Sequence, residues 1–174
     1  MNKPITYVYL ETTNYCNLAC SFCNRDEVIG ALNHMPIEKF RTLMESIKHH
    51  PITEAKLMGM GEPMLHPKFN EVCKIFKEYF PDAFLIVATN CQYNIGEGRP
   101  LRERFQDALQ YIDLLYFSID GYDKSYERDR SPAKWSRLLS FLGDFKEMDR
   151  RGCRVTCNDV VNPQNVSDIQ RVSD

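Results

Sequence analysis

The chain has 174 residues, of which 43% are hydrophobic and 26% charged, a composition that indicates one globular domain and excludes a disordered or fibrous protein. Its 22 basic and 24 acidic residues give a net charge of −2, and neither half is basic. This balance argues against nucleic acid or an anionic membrane as the main partner. No apolar run approaches the ~18–20 residues of a membrane helix.

The seven cysteines are an odd number, and the start of the chain shows no signal-peptide pattern. A chain of this length does not need disulfides to stabilise its core. Reduced thiols or metal ligands are therefore the better interpretation, and the expected location is the cytoplasm.

Five apolar segments are predicted to form β-strands. The third and fourth are continuously apolar over several residues, which is typical of strands covered on both faces in a parallel sheet. The segments are Ile5–Glu11, Ala55–Met60, Ala83–Thr89, Asp113–Ile119 and Arg154–Val160.

Between these strands, apolar residues recur at helical spacing and predict buried helix faces. Pro36 and the Ser131-Pro132 pair mark two helix starts, the latter as an N-cap followed by proline at the first helical position. The stripes are Phe40, Leu43, Met44 and Ile47; Phe69, Val72, Cys73, Phe76 and Phe80; Leu101, Phe105, Ala108 and Leu109; and Trp135, Leu138, Leu139, Leu142 and Phe145.

The alternation of strands and helices predicts an α/β fold, a parallel sheet that is open or curls toward a barrel. In such folds ligands bind at the carboxyl ends of the strands. The residues that follow each strand therefore decide the functional prediction.

The first strand is followed by three cysteines, Cys16, Cys20 and Cys23, in a C-x3-C-x2-C pattern. Three thiolates this close in sequence can converge on one soft metal centre. Structural zinc takes four protein ligands, and His34 is the nearest candidate for a fourth. A 4Fe–4S cluster with one iron left open suits three thiolates better. Three incidental buried cysteines are the alternative without a metal.

Small or polar residues follow the next three strands. Gly59-Met60-Gly61-Glu62-Pro63 contains two glycines that allow close approach of a ligand and a carboxylate suited to an ammonium group. Thr89-Asn90 and Ser118-Ile119-Asp120-Gly121 end the third and fourth strands. Each of these segments is by itself compatible with an ordinary turn, but four successive strands that end in such groups favour one shared site.

These four motifs together resemble the radical S-adenosylmethionine (radical SAM) superfamily. The cysteine triplet with Phe22 before its last cysteine, the G-x-G-E-P segment, the T-N pair and the S-I-D-G segment all match that family's strand-end motifs. The match runs from about residue 5 to residue 165. The resemblance implies a partial (β/α)6 barrel of TIM-like type, with about five βα units present and the sixth missing.

The family's cofactors imply roles for individual residues. By resemblance, Cys16, Cys20 and Cys23 bind three irons of a 4Fe–4S cluster within a loop spanning residues 12–34. The amino and carboxylate groups of S-adenosylmethionine then chelate the fourth iron. The other implied cofactor-binding residues are Phe22, Gly59, Gly61, Glu62, Asn90, Ser118 and Arg130.

Three of these implied roles have plainer alternatives. Arg130 resembles an arginine that binds the cofactor carboxylate, although an arginine in this charged stretch is often a solvated ion-pair residue. Phe22 is expected near the adenine or as an anchor of the loop. Asn90 is expected at the methionine or ribose part or as the cap of a turn.

The remaining cysteines and His66 are predicted to be structural. Cys73 lies in a helical stripe and is expected in the core; Cys153 and Cys157 share one face of the fifth strand, where they either line the barrel or lie in the core, and the core is favoured. Cys91 stands where relatives usually have glycine, which puts the local turn in doubt and offers a thiol near the reaction chamber. His66 is expected at the entry to a helix.

The resemblance predicts an enzyme that reductively cleaves S-adenosylmethionine and uses the 5′-deoxyadenosyl radical to abstract hydrogen from a peptide or small metabolite. The motifs are closest to the branch of peptide-modifying, sulfatase-maturing (SPASM-type) and molybdenum-cofactor-type enzymes. Flavodoxin or ferredoxin is the expected electron donor. A non-catalytic or partner-completed iron–sulfur module and a structural zinc protein are the alternatives. Residues 1–174 are predicted to be one radical SAM core domain that is short at its C-terminus.

Overall fold

The computed structural model describes residues 4–93 and 101–173, and they contain one five-stranded parallel sheet. The strands lie in the order β1-β2-β3-β4-β5, so each is paired with its predecessor in the chain. All five overlap the segments predicted from the sequence, which confirms the α/β fold with an unclosed, partial-barrel sheet. The strands are β1 (Tyr7–Leu10), β2 (Glu54–Leu57), β3 (Phe84–Thr89), β4 (Leu114–Ser118) and β5 (Arg154–Asn158).

Seven α-helices and one 3₁₀ turn connect the strands in the described residues. Because right-handed crossovers join neighbouring strands in sequential order, the crossover helices lie on the same face of the sheet. The helices are α1 (Arg25–Val28), α2 (Ile37–Ile47), α3 (Phe69–Tyr79), α4 (Leu101–Leu109), α5 (Lys124–Asp129), α6 (Trp135–Lys146) and α7 (Val166–Ser173), with the 3₁₀ turn at Pro63–Leu65.

The two faces of the sheet differ in burial. Leu57 and Leu115 point toward the helices and are fully buried, whereas Tyr9 on the other face is 61% exposed. Only the central strand β3 is buried on both sides, since Tyr116 of β4 is half-buried. We call the side without helices the open face. It corresponds to the interior of a barrel that does not close.

The predicted helical stripes form most of the core, with one exception. Phe40, Phe76 and Leu138 are fully buried. Leu139 was predicted in the stripe of α6, but this prediction is wrong, because the helix turns Phe141 toward the core and leaves Leu139 51% exposed. The side chain of Leu101 in α4 lies outside the described residues.

The predicted helix start at Ser131-Pro132 is also wrong, because α6 begins at Trp135. The Ser131 carbonyl accepts a hydrogen bond from the Ala19 amide at 2.6 Å, and the Asp129 carbonyl accepts one from the Ser21 amide at 2.9 Å. The segment before α6 is therefore paired with the cysteine loop and is not available to cap a helix.

Two of the three cysteines predicted in the core are buried. Cys73 is fully buried in α3, and Cys153, which precedes β5, is 4% exposed. Cys157 is exposed because β5 forms the edge of the described sheet, so its predicted core position is wrong. None of the helices in residues 4–93 and 101–173 is long and apolar enough to cross a membrane.

Candidate active site

The cysteine loop follows β1 and is closed at its base by short-range pairing. Thr13 and His34 form an antiparallel bridge, and the Met35 amide donates to the Thr12 carbonyl at 2.8 Å. The loop is therefore a closed unit at the carboxyl ends of the strands, in the place where ligands of parallel α/β folds bind.

The three cysteines of this loop are free thiols that differ in exposure. Cys16 and Cys20 are half-buried, and Cys23 is exposed. The Cys23 amide donates to the Cys20 carbonyl at 3.0 Å, which bends the chain between them. Their spacing thus forms a turn whose sulfur atoms lie at the edge of the molecule.

Two polar side chains approach the sulfur atoms from neighbouring loops. The Asn90 Nδ2 atom lies 3.8 Å from Cys16 Sγ, and the Arg130 Nη1 atom lies 4.0 Å from Cys20 Sγ. Burial raises the pKa of the Cys20 thiol to about 11, while the charge of Arg130 opposes this shift. N–H donors of this kind stabilise thiolates, the form of cysteine that binds metal.

Three thiolates are a donor set that suits an iron–sulfur cluster, and the binding of one by these cysteines stays a prediction. No group of three His, Cys, Asp or Glu side chains among the described residues is placed to hold one metal ion. In a cluster each thiolate binds a different iron, so the sulfur atoms need not converge on one point. His34, the nearest candidate for a fourth zinc ligand, has its Nδ1 atom 2.8 Å from Thr13 Oγ1 and stacks on Tyr15.

Gly59 and Gly61 pack directly against the first strand-end loop. A Cβ atom on Gly61 would overlap the Thr13 carbonyl, and one on Gly59 would overlap the Glu11 carboxylate. The Glu62 amide also donates to the Tyr15 carbonyl at 2.7 Å. Gly61 is therefore required by a backbone contact, whereas the Glu11 side chain beside Gly59 is able to shift, and the predicted role of both glycines beside a ligand stays a prediction.

The Glu62 carboxylate is buried and has three donors within the chain. Its Oε2 atom accepts from the Asn90 amide at 2.7 Å, and its Oε1 atom accepts from Tyr93 Oη at 2.8 Å and the Met64 amide at 3.2 Å. Burial raises its pKa above the ordinary range, although these hydrogen bonds oppose the shift. Glu62 thus joins the loops after β2 and β3, and its contact with an ammonium group stays a prediction.

Asn90 contributes to the same set of contacts. Its Nδ2 atom donates to Asn17 Oδ1 at 2.8 Å, so the loop after β3 is bound to the cysteine loop. The next residue, Cys91, has a φ of 58°, the left-handed conformation that glycine adopts most easily. The turn is therefore formed with cysteine in place of glycine, and the Cys91 side chain is fully buried in the hydrophobic core.

Arg130 is buried beside the cysteine loop. It is 7% exposed, its Nε atom lies 2.5 Å from Asp120 Oδ2, and its guanidinium lies 5.6 Å from the centre of the Phe22 ring. The alternative of a solvated surface arginine is therefore wrong, and it applies instead to Arg128, which pairs with Asp129. Phe22 is itself 41% exposed, so the alternative that it anchors the loop into the core is wrong, and its place near the adenine stays a prediction.

Two acidic residues of this region were not assigned a role from the sequence. Asp120 is fully buried, and its Oδ1 atom accepts from the Val160 amide at 2.6 Å in addition to the ion pair with Arg130. Glu11 accepts from the Met60 amide at 2.5 Å. Both lie at the carboxyl end of a strand, which is the one signal in the sequence that indicates them. Ser118 is half-buried in β4, on the same face as Tyr116.

The site and the sheet together define a class of protein: an open parallel α/β sheet with a three-cysteine loop after its first strand. The family model for the radical SAM superfamily matches residues 10–174. The chain belongs to the radical SAM superfamily, whose enzymes use a 4Fe–4S cluster and S-adenosylmethionine.

Individual relatives extend over different shares of the chain. It is 29% identical over 119 residues to the tungsten-containing aldehyde ferredoxin oxidoreductase cofactor-modifying protein of Pyrococcus furiosus, with 66% of this chain and 30% of the relative covered. It is 26% identical over 176 residues to the PqqA peptide cyclase of Xanthomonas campestris, with 95% and 42% covered.

Solved structures show the same fold. The Streptococcus suis SuiB structure bound to S-adenosylmethionine matches with a TM-score of 0.74 and 19% identity, covering 98% of this chain and 37% of SuiB. The chain thus spans between 30% and 42% of the length of these three relatives.

Proposed function

We propose that this chain binds a 4Fe–4S cluster through Cys16, Cys20 and Cys23 and reductively cleaves S-adenosylmethionine. The observation that carries the proposal is the three-thiol loop with Asn90 and Arg130 beside two of its sulfur atoms. Held by these three thiolates, the cluster would supply the single electron for reductive cleavage of the sulfur–C5′ bond of S-adenosylmethionine, with methionine and, after uptake of a hydrogen atom from the substrate, 5′-deoxyadenosine as products.

The chain's own residues prepare this site by holding four loops together. Glu62 joins the loops after β2 and β3, Asn90 joins the loop after β3 to the cysteine loop, and Asp120 orients Arg130. Since Asp120 engages the Nε side of the guanidinium, the Nη atoms remain for the cofactor carboxylate. Phe22 and Ser118 are proposed at the adenosine part, and the Gly59–Glu62 backbone at the amino group.

The substrate is proposed to be a peptide or a small metabolite. Two relatives support the peptide: one is named PqqA peptide cyclase, and SuiB has also been solved bound to the precursor peptide SuiA. Flavodoxin or ferredoxin is proposed as the donor of the single electron. The protein is proposed to be located in the cytoplasm, together with such an electron donor.

Anaerobic reconstitution tests the cluster. We expect about four irons and four sulfides per chain in the wild type, and loss of the cluster in Cys16→Ala, Cys20→Ala and Cys23→Ala. Cys157→Ala is the matched control, since this exposed cysteine lies outside the loop and is expected to leave the iron content unchanged. Stoichiometric zinc without iron in the wild type would support the structural zinc alternative and contradict the proposal.

A second measurement separates an enzyme from a binding module. The reconstituted chain is incubated with S-adenosylmethionine and a strong reductant, and 5′-deoxyadenosine and methionine are quantified. Equal amounts of both products support the proposal. A cluster whose resonance changes with S-adenosylmethionine, without any 5′-deoxyadenosine, would favour a partner-completed module.

A further inference from the structure

The open face of the sheet carries a lysine surrounded by tyrosines. Lys56 projects from β2, and its Nζ atom lies 5.5 Å from the ring centre of Tyr7, 5.7 Å from that of Tyr9 and 5.7 Å from that of Tyr116. The register confirms that Tyr9 and Lys56 are direct neighbours on the same face. Three aromatic rings from two strands, β1 and β4, thus surround one ammonium group.

Lys56 has no carboxylate partner among the described residues. The chain's other buried or half-buried cations near the sheet do have one: Lys77 pairs with Asp113 at 2.8 Å, and Arg130 with Asp120 at 2.5 Å. The groups that raise the pKa of Lys56 are tyrosines, with Tyr7 first. The ammonium is therefore charged, hydrogen-bonded to the Tyr7 side chain and surrounded by aromatic rings, and no carboxylate of the described residues neutralises its charge.

The charge of the open face favours an anion. Its strand residues include two cations, Lys56 and Arg154, and one acid, Glu54, which forms no ion pair with either. Arg154 also lies against a ring, 5.0 Å from the centre of Phe84. A half-buried cation without a carboxylate counterion among the described residues attracts an anionic group of a bound molecule.

The position of Lys56 connects it to the proposed cofactor residues. Ser118 follows Tyr116 by two residues on the same face of β4, and Asn90 follows the face residue Ala88 by two residues. Lys56 itself is in register with Ile86 and Leu114, so Asn90 and Ser118 lie four residues further along their strands, a rise of about 13 Å. A substrate group bound at Lys56 thus lies on the same face as these residues but deeper, so the substrate has to extend over about this length to reach the place where the adenosyl radical would react.

We propose that this face binds a carboxylate of the substrate, with the Lys56 ammonium as its counterion and Tyr7, Tyr9 and Tyr116 as the surrounding walls. The inference rests on the proposed function, because it assigns the substrate of the same site. A carboxylate fits better than a phosphate, since one monoanion neutralises one lysine. Arg154 is three strands away from Lys56 in the same register row, about 14 Å, too far to share a dianion.

Nuclear magnetic resonance of lysine side chains tests this proposal without any turnover. The reconstituted chain, labelled with ¹³C at the lysine ε-carbons, is titrated with glutarate, with the neutral glutaramide and with inorganic phosphate, in the absence of reductant. The Lys56 signal is identified by its loss in Lys56→Met. We expect glutarate to shift this signal, glutaramide to leave it in place and phosphate to bind more weakly than glutarate.

The affinity of each Lys56 variant for glutarate, measured from the saturation-transfer signal of glutarate, tests whether the lysine charge is responsible for binding. Lys56→Met is expected to weaken glutarate binding about tenfold or more, and Lys56→Arg to retain most of it because the charge remains. Lys146→Met is the matched control, because this exposed lysine of α6 is not on the open face. Circular dichroism establishes that each variant is folded, and the arginine variant keeps the test decisive should the methionine variant unfold.

Four results would overturn the proposal. The first is that Lys56→Met binds glutarate as well as the wild type does, and the second is that glutaramide shifts the Lys56 signal as much as glutarate does. The third is that phosphate binds more tightly than glutarate. The fourth is that S-adenosylmethionine shifts the Lys56 signal and prevents glutarate from binding. The last would assign the anion to the cofactor. Absence of 5′-deoxyadenosine together with a positive titration would contradict the proposed radical chemistry and leave the carboxylate site standing.

Discussion

The rim of strand-end loops and the open face of the sheet differ in how their polar groups are satisfied. At the rim, Glu62, Asn90 and Asp120 are each buried and bonded to at least two other parts of the chain. On the open face, Lys56 contacts tyrosines and has no carboxylate partner among the described residues, and Tyr9 is largely exposed. The rim is therefore built to hold loops in one arrangement, while the open face keeps its polar groups available for a ligand.

Loss of the Asp120 charge is expected to have the largest effect on the rim. Asp120→Asn leaves the buried Arg130 guanidinium without its counterion, and breaking such a pair costs about 3–5 kcal/mol. Urea unfolding of the cluster-free chain measures this cost. The matched control is Asp149→Asn, whose side chain is 75% exposed beside Arg151 and is expected to change the free energy of unfolding by less than about 1 kcal/mol. Equal effects of the two variants would refute a buried ion pair.

A methyl group at Gly61 is expected to disturb the packing of the rim. The Cβ atom of Gly61→Ala would overlap the backbone of Thr13, so we expect a loss of about 1–3 kcal/mol of stability. Gly143→Ala is the control, since nothing lies within 4 Å of its Cβ position in α6, and alanine there is expected to stabilise the helix by up to about 1 kcal/mol. Thermal unfolding of both variants distinguishes them by opposite signs, and a stabilised Gly61→Ala would contradict the observed packing.

The buried Glu62 carboxyl group is expected to make stability depend on pH. Because burial raises its pKa above 4.5, the folded chain holds a proton that the unfolded chain releases. The stability from this group is thus present at low pH and is lost as the pH rises from about 4.5 through the raised pKa. Comparing the unfolding free energy of wild type and Glu62→Gln over this window tests the claim. A difference between them that does not change with pH would contradict it.

The open face is expected to be the least sensitive to substitution. Tyr9→Ser removes a side chain that is 61% exposed, so we expect the free energy of unfolding to change by no more than about 0.5 kcal/mol. The same variant is expected to weaken glutarate binding, because one wall of the Lys56 site is lost. A large loss of stability would mean that the open face is part of the core and not a ligand surface.

Much of the architecture was predictable because it depends on local pattern. The five strands, the stripes of α2 and α3 and the position of the cysteine loop follow from apolar periodicity and from cysteine spacing. The errors lie where a tertiary contact overrides a local signal. The local sequence predicts Ser131 as a helix cap, but its carbonyl accepts a hydrogen bond from the cysteine loop. The strand pattern predicts Cys157 as buried, but its strand is at the edge of the described sheet and the side chain is exposed.

For the site, the sequence by itself determined which residue types stand at the strand ends, and hence the family and its cofactors. Only the tertiary structure decided what these residues contact. In the folded chain, Glu62 and Asn90 form hydrogen bonds between neighbouring loops, and Asp120 pairs with Arg130. Lys56 is surrounded by tyrosines from β1 and β4. The physical reason is that spacing along the chain specifies periodicity and local turns, whereas partners ten or more residues apart are chosen by strand register and by the burial of charge.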